Sequence, residues 1–325
     1  MNKKRPFPFK PTHADGFTLI ELLVVVATVG LLAMVLLPAL AATKPDSQSF
    51  QCLENQRQLV RAWQMYAEDN NDLLPPNDYP WKTSFVQNDY VANNPAWGSH
   101  HRNWVVGSMN PACPLDTADS YAQFGKSMYL DPNTVLSPYQ TNRAGYHCPA
   151  DNFTSHMAPH GHTRSYSMNS GVGTIYTSAV ENDNTDSQHR HTGAPVDGAW
   201  LPGATYTSGQ TTWLTYGKMS SFSRPGPANT FVIMDENPFT INDASIAIPA
   251  AATPGNTWRL DFPSGNHNKG AGISFADGHV LIYKWQDART YTPTVPEGGQ
   301  ISSSGLQTPD NPDCFYLASI TSARR

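Results

Sequence analysis

The sequence predicts an α+β fold: a long bent N-terminal helix packed on an antiparallel β-sheet body with long loop insertions. Three observations carry this expectation. They are an apolar run from Phe17 to Leu37, a second helical pattern from Ser47 to Asn71, and two alternating runs that flank Asp277-Gly278.

The apolar run reads FTLIELLVVVATVGLLAMVLL, interrupted only by Glu21 and the hydroxyls of Thr18 and Thr28. As a helix it would extend roughly 31 Å, the thickness of one hydrocarbon core. Lys3, Lys4, Arg5 and Lys10 all precede it, so the positive-inside rule places the N-terminus in the cytoplasm and the body outside. In the second pattern, Leu53, Val60, Trp63 and Ala67 recur at helical spacing, with Leu59 and Tyr66 widening the stripe. Pro75-Pro76 ends it, and Lys44-Pro45 is expected to break or kink the connection to the first helix.

From Asn77 to Pro227 turn residues dominate, and 177–210 reads as a surface insertion. Phe231-Val232-Ile233-Met234 is the clearest strand. Ala271–Ala276 and His279–Trp285 flank Asp277-Gly278, which predicts a hairpin closed by a two-residue type I′ turn. In that register Ile273, Phe275, Val280 and Ile282 share one buried face.

Composition narrows the function classes. Hydrophobic residues make up 39% and charged residues 14%, which suits a folded chain rather than a disordered one. The net charge is −5, and residues 1–16 hold four basic residues against one acid, so the remainder of the chain is more acidic still. An acidic body excludes sequence-independent nucleic-acid binding. No GxSxG, Walker A, HExxH or glycine-rich dinucleotide loop is present, so the chain is not expected to be an enzyme.

Three readings of the N-terminus compete. A secretory signal would use Ala39-Leu40-Ala41 as its cleavage site, but the apolar run is too long and holds an acid. A plain anchor leaves Glu21 unexplained, since an acid in such a helix costs roughly 2.5–3.5 kcal/mol. The third reading rests on Gly16-Phe17-Thr18-Leu19-Ile20-Glu21, which resembles the prepilin peptidase site of type IV pilins and type II secretion pseudopilins. Pro38 falls where that family places a helix-kinking proline. The resemblance implies a pilin-like fold and cleavage between Gly16 and Phe17. It further implies methylation of the new Phe17 amine, and a Glu21 that neutralises that amine during assembly.

Further residues extend the resemblance. His267, nine residues and then Asp277-Gly278 is similar to the signature of prepilin-type processing-associated H-X9-DG proteins. The blocks Cys52–Leu59, Tyr66–Asn70, Cys148–Asp151 and Arg164–Tyr166 agree with that family. The implied organisation is a leader (1–16), a transmembrane and filament-core helix (17–38), and its extracytoplasmic continuation (39–76). A β-rich body (77–290) holding the hairpin (267–285) follows, then a C-terminal tail (291–325). The implied location is the inner membrane, single-pass. The implied partners are prepilin peptidase, other pilin or pseudopilin subunits, and a secretion or pilus assembly platform.

The remaining candidates read more plainly. Asp277 is expected to serve its turn and His267 to pack or hydrogen-bond locally. Related pseudopilins hold calcium, and Asp235, Glu236 and Asp277, or Asp183 and Asp186, are the oxygen-rich candidates, although no EF-hand loop exists. Otherwise no cofactor is expected. His160-Gly161-His162 and His189-Arg190-His191 read as solvated loop histidines. Cys52, Cys113, Cys148 and Cys314 allow three disulfide pairings. Cys52–Cys148 with Cys113–Cys314 would tie the helix to the body. The leading function is a structural filament subunit. The alternative is a membrane-displayed binding protein that uses the prepilin pathway for placement.

Overall fold

The computed structural model describes residues 18–77, 103–105, 134–154, 162–177, 190–203, 209–241, 244–292 and 306–325; within these, side chains are described except at 35–46, 176–177 and 190–192. The chain divides into two compact units, Met1–Asp46 and Ser47–Arg325.

Helix α1 is assigned over Leu19–Asp69 and so contributes to both units. Its start is a capping box. The Thr18 amide and hydroxyl donate to Glu21 Oε2 at 2.8 and 2.7 Å, and the Glu21 amide donates back to Thr18 Oγ1 at 3.3 Å. The apolar side chains of 19–34 are all exposed.

Two corrections to the expected architecture follow. Among the described residues, no helix is long and apolar enough to cross a membrane. This overturns the expected transmembrane helix and the single-pass inner-membrane location. The long bent helix, membrane-spanning in its first half and broken at Lys44-Pro45, is corrected with it: the helical assignment runs through both Pro38 and Pro45.

The second unit is built on a mixed sheet, not the antiparallel one expected. Its strands are β1 (Tyr166–Asn169), β2 (Thr174–Thr177), β3 (Arg190–Pro195), β4 (Phe231–Asp235), β5 (Ser245–Ile246), β6 (Trp258–Arg259), β7 (Gly270–Phe275), β8 (Val280–Lys284) and β9 (Leu306–Gln307). The main sheet runs β5-β1-β4-β7-β8, with β1 and β5 parallel and the other pairs antiparallel. β2–β3 and β6–β9 form two small ribbons.

Two apolar clusters sandwich that sheet. On one face Cys52, Leu59, Val60 and Trp63 of α1 pack with Tyr166, Val232 and Ile233. On the other, Phe231, Met234, Ile273 and Phe275 pack with Leu317 and Ile320. The last two belong to α2 (Pro312–Thr321), a helix inside the segment expected to be a tail. Its start carries ordinary signals: Asn311 caps the Asp313 amide at 2.9 Å, and Pro312 occupies the first turn. Each large apolar side chain buried this way contributes about 1.5–3 kcal/mol.

The hairpin forms, but in a different register. Phe275 N donates to His279 O at 3.0 Å and Gly278 N to Phe275 O at 2.9 Å. Only Gly278 is left-handed, at φ 93°. This is a three-residue loop, a tight turn followed by a left-handed glycine, rather than a two-residue type I′ turn. Ser274 therefore pairs with Val280 and Ile273 with Leu281. Val280 joins the α1 face and Leu281 joins Ile273 and Phe275 on the α2 face. One extra loop residue moves every β8 side chain to the opposite side.

α1 lies very close to the sheet at Gly272. A Cβ there would collide with the Gln56 amide and stand 3.3 Å from Cys52 Sγ. Gly272→Val should therefore cost about 1–3 kcal/mol by overpacking, read as a lower urea midpoint. An unchanged midpoint would mean that α1 yields freely at this contact.

Candidate functional site: a buried Cys-Cys-His-Asp cluster

Where α1 approaches β4 and β7, four polar side chains converge. The ligand-type atoms of Cys52, Cys148, Asp235 and His267 all lie within 4.8 Å of one another, and all four residues are buried. Cys52, Cys148 and Asp235 expose no surface and His267 only 2%. Among the described residues this is the only gathering of three or more His, Cys, Asp or Glu side chains at that range.

Each member arrives from a different element. Cys52 sits on α1, one turn after Ser49. Cys148 follows a 3₁₀ turn at Arg143–Tyr146. That turn is strapped to α1 by Asn55 Nδ2, which donates to Ala144 O and His147 O at 3.0 and 2.9 Å. The Ser165 hydroxyl accepts from the Cys148 amide at 3.1 Å and donates to Asp151 at 2.8 Å. Asp235 ends β4, facing α1 by strand alternation after Met234. His267 precedes β7 in a turn with Asn268 and Lys269 in the left-handed region, at φ 51° and 62°. Its backbone carbonyl is held by Lys284 Nζ.

The imidazole is oriented at both nitrogens. Nδ1 lies 3.1 Å from Ser49 Oγ, while Nε2 faces Cys148 Sγ at 3.2 Å and Asp235 Oδ2 at 3.3 Å. Cys52 Sγ accepts from the Tyr166 hydroxyl at 3.3 Å. Asp235 is the exception. His267 and Ser264 both stand near enough to favour its anion, yet neither carboxylate oxygen receives an aligned hydrogen bond.

The local electrostatics follow from that crowding. Burial pushes the Asp235 carboxyl above its ordinary range, against the pull of His267. Burial alone would lower His267, but its bonds to Asp235 and Cys148 outweigh this and raise it to about 9. The Cys148 thiol is raised by its hydrogen bond to Cys52, by burial and by the nearby Asp235. Tyr166 is pushed up by burial and then by Cys52.

The candidates read from the sequence are distributed as follows. Cys52 and Cys148 meet, but both are free thiols, as is Cys314; Cys113 lies outside the described residues. Asp235 and His267 join the cysteines. Asp277 does not: its Oδ1 takes the His279 amide at 3.1 Å and the His279 ring at 2.6 Å in the hairpin turn. Glu236 turns away and bonds Thr240 at 3.2 Å. Asp235, Glu236 and Asp277 are thus not gathered as a calcium group. His267 also lies far from Asp277, with the whole of β7 between them.

Gly16, Phe17, Asp183, Asp186, His160 and His189 lie outside the described residues, and the side chains of Pro38 and His191 are not described. His162 is described and is not solvated. It is buried against Phe153 with ring centroids 5.1 Å apart, and burial lowers it to about 4. Glu21 is occupied by its capping box, which holds it below the usual carboxylate range through the Thr18 amide and hydroxyl. The Thr-x-x-Glu spacing is a readable signal for that role.

Sequence reasoning missed the cluster as a unit, together with Ser49 and Tyr166 around it. The readable trace was two cysteines and one histidine in the separate blocks Cys52–Leu59, Cys148–Asp151 and the segment that opens with His267. In comparisons with known proteins, no family model, no curated protein and no solved structure matches the chain.

Burial makes a direct prediction. In the folded protein a maleimide should leave Cys52, Cys148 and Cys314 unmodified over a time that labels all three in denaturant, as read by peptide mass spectrometry. Rapid native labelling of Cys52 or Cys148 would place the cluster at the surface.

Proposed function

We propose that this chain is a structural subunit of a type II secretion or type IV pilus-like filament. In this reading prepilin peptidase cleaves it between Gly16 and Phe17, and it assembles with other subunits of the same kind on a dedicated platform. The observation that carries the reading is the stretch 19–34. It begins within the Gly16–Glu21 motif, and it exposes apolar side chains all round, from Leu19 at 77% to Met34 at 75%. A helix apolar on every side is stable in water only when its whole circumference is covered. Copies of the same helix supply such a cover, as in a filament core.

Glu21 has a defined place in this reading. It stands in the first turn of α1, with its carboxylate drawn back to Thr18. Cleavage after Gly16 would put a positive amine next to that carboxylate. Favourable charge pairing between copies then adds to apolar packing, because a carboxylate taken out of water needs a counter-charge.

Two measurements test the proposal. Mass spectrometry of the purified native protein should find a mature N-terminus at Phe17. A terminus at Met1 or Ala42 would falsify the processing step. Glu21→Gln separates the two roles of that side chain, since glutamine also completes a capping box but carries no charge. Assembled filament should fall about tenfold or more, the equivalent of about 1.4 kcal/mol per interface. Normal filaments from Glu21→Gln would leave Glu21 a helix cap and nothing else.

A further inference from the structure

We propose that Cys52, Cys148, Asp235 and His267 bind one zinc ion as a closed, four-ligand structural site that clamps α1 to the sheet. This goes beyond the filament reading and does not depend on it: the four ligands all belong to the unit Ser47–Arg325.

The donor set and its geometry point to zinc. Two thiolates, one imidazole and one carboxylate are ligands of a borderline-soft ion, whereas calcium requires six to eight oxygens. In a tetrahedral site with ordinary zinc bond lengths, neighbouring donor atoms stand about 3.4–3.8 Å apart. Here Nε2 is 3.2 Å from Cys148 Sγ and 3.3 Å from Asp235 Oδ2, with all four donors inside 4.8 Å. Shifts of up to about an ångström close the tetrahedron.

Three independent features support a ligand rather than ordinary packing. Asp235 is fully buried, and neither oxygen has an aligned donor. His267 at 3.3 Å offsets only part of the cost of burying that carboxylate, and a metal ion would meet the rest. His267 presents Nε2 inward, while Ser49 Oγ takes Nδ1 at 3.1 Å, the outer contact that fixes ring orientation at metal sites. Gly272 lacks the Cβ that would crowd Cys52 Sγ, so the sulfur can come down onto the sheet.

The protonation balance is simple. Cys52 and Cys148 each release a thiol proton to solvent, and His267, an imidazolium beside Asp235 in the metal-free protein, releases its Nε2 proton and binds as the neutral imidazole, its Nδ1–H directed at Ser49. With four protein ligands and full burial, no position stays open for water or substrate, so the ion is structural and not catalytic.

The test is the metal content of the full chain, purified without chelator from cells grown with zinc, iron and copper present. About one zinc per chain is expected. Cys148→Ser and His267→Ala should each reduce it to roughly a tenth or less, while Cys314→Ser and His162→Ala should leave it unchanged. Because ligand variants can fail to fold, cobalt substitution of the wild-type chain provides a second reading. Tetrahedral visible bands with a sulfur-to-cobalt charge-transfer band are expected, and both should vanish on adding zinc. Metal-free protein carrying a Cys52–Cys148 disulfide would overturn the proposal. So would stoichiometric iron or copper in place of zinc, or zinc that persists in Cys148→Ser.

Discussion

A single buried carboxylate sets the terms for the second unit. Asp235 ends β4, the middle strand of the sheet, and exposes none of its surface. Removing a carboxylate from water costs several kcal/mol even after relaxation, and one partner at 3.3 Å repays only part of that. The local irregularities nearby answer to this one position. Asn268 and Lys269 adopt left-handed backbone so that His267 can turn inward. Gly272 gives up its side chain so that Cys52 can descend. Asn55 uses both amide protons to hold the loop that delivers Cys148.

The convergence also explains why widely separated blocks belong together. Ser165, between Cys148 and Asp151, fixes the approach of the second cysteine. The next residue, Tyr166, donates to the first cysteine. Arg164 is buried beside them, bonding Tyr166 O at 2.6 Å and lying over the Trp104 ring. The Tyr166–Cys52 bond closes 114 residues of sequence, so its loop-closure cost must be recovered at the cluster itself.

Legibility varied with how local the determining interaction is. The α1 stripe at Leu59, Val60, Trp63 and Ala67 was readable because helical spacing alone selects its buried face. β4 was readable as an apolar run. The 275–279 loop was recognisable, but its register was not, because two-residue and three-residue loops both accept Asp-Gly and differ only in which residues turn left-handed. The parallel β1–β5 pair joins segments about 80 residues apart and leaves no local trace. α2 did leave one, Asn311-Pro312 before an apolar run, and it went unread because its neighbours look like a tail. The cluster needed tertiary placement: no pair among Cys52, Cys148, Asp235 and His267 has a ligand-like spacing in sequence.

The nine-residue interval between His267 and Asp277 acquires a physical meaning in this arrangement. Its two ends do different work, since His267 enters the cluster and Asp277 holds a turn. Between them β7 runs alongside α1, which touches both ends. Ser49 meets His267, and Gln64 Nε2 donates to Ala276 O at 3.1 Å. From Ser49 to Gln64 a helix rises about 22 Å, and from Gly270 to Ala276 a strand rises about 20 Å. The two elements match in length, so both ends can be pinned at once. One residue more in β7 would shift the turn by about 3.3 Å along α1 and reverse the facing of every strand residue beyond it. The interval suits a strand whose length lets a helix be fastened at its buried polar end and at its turn end together.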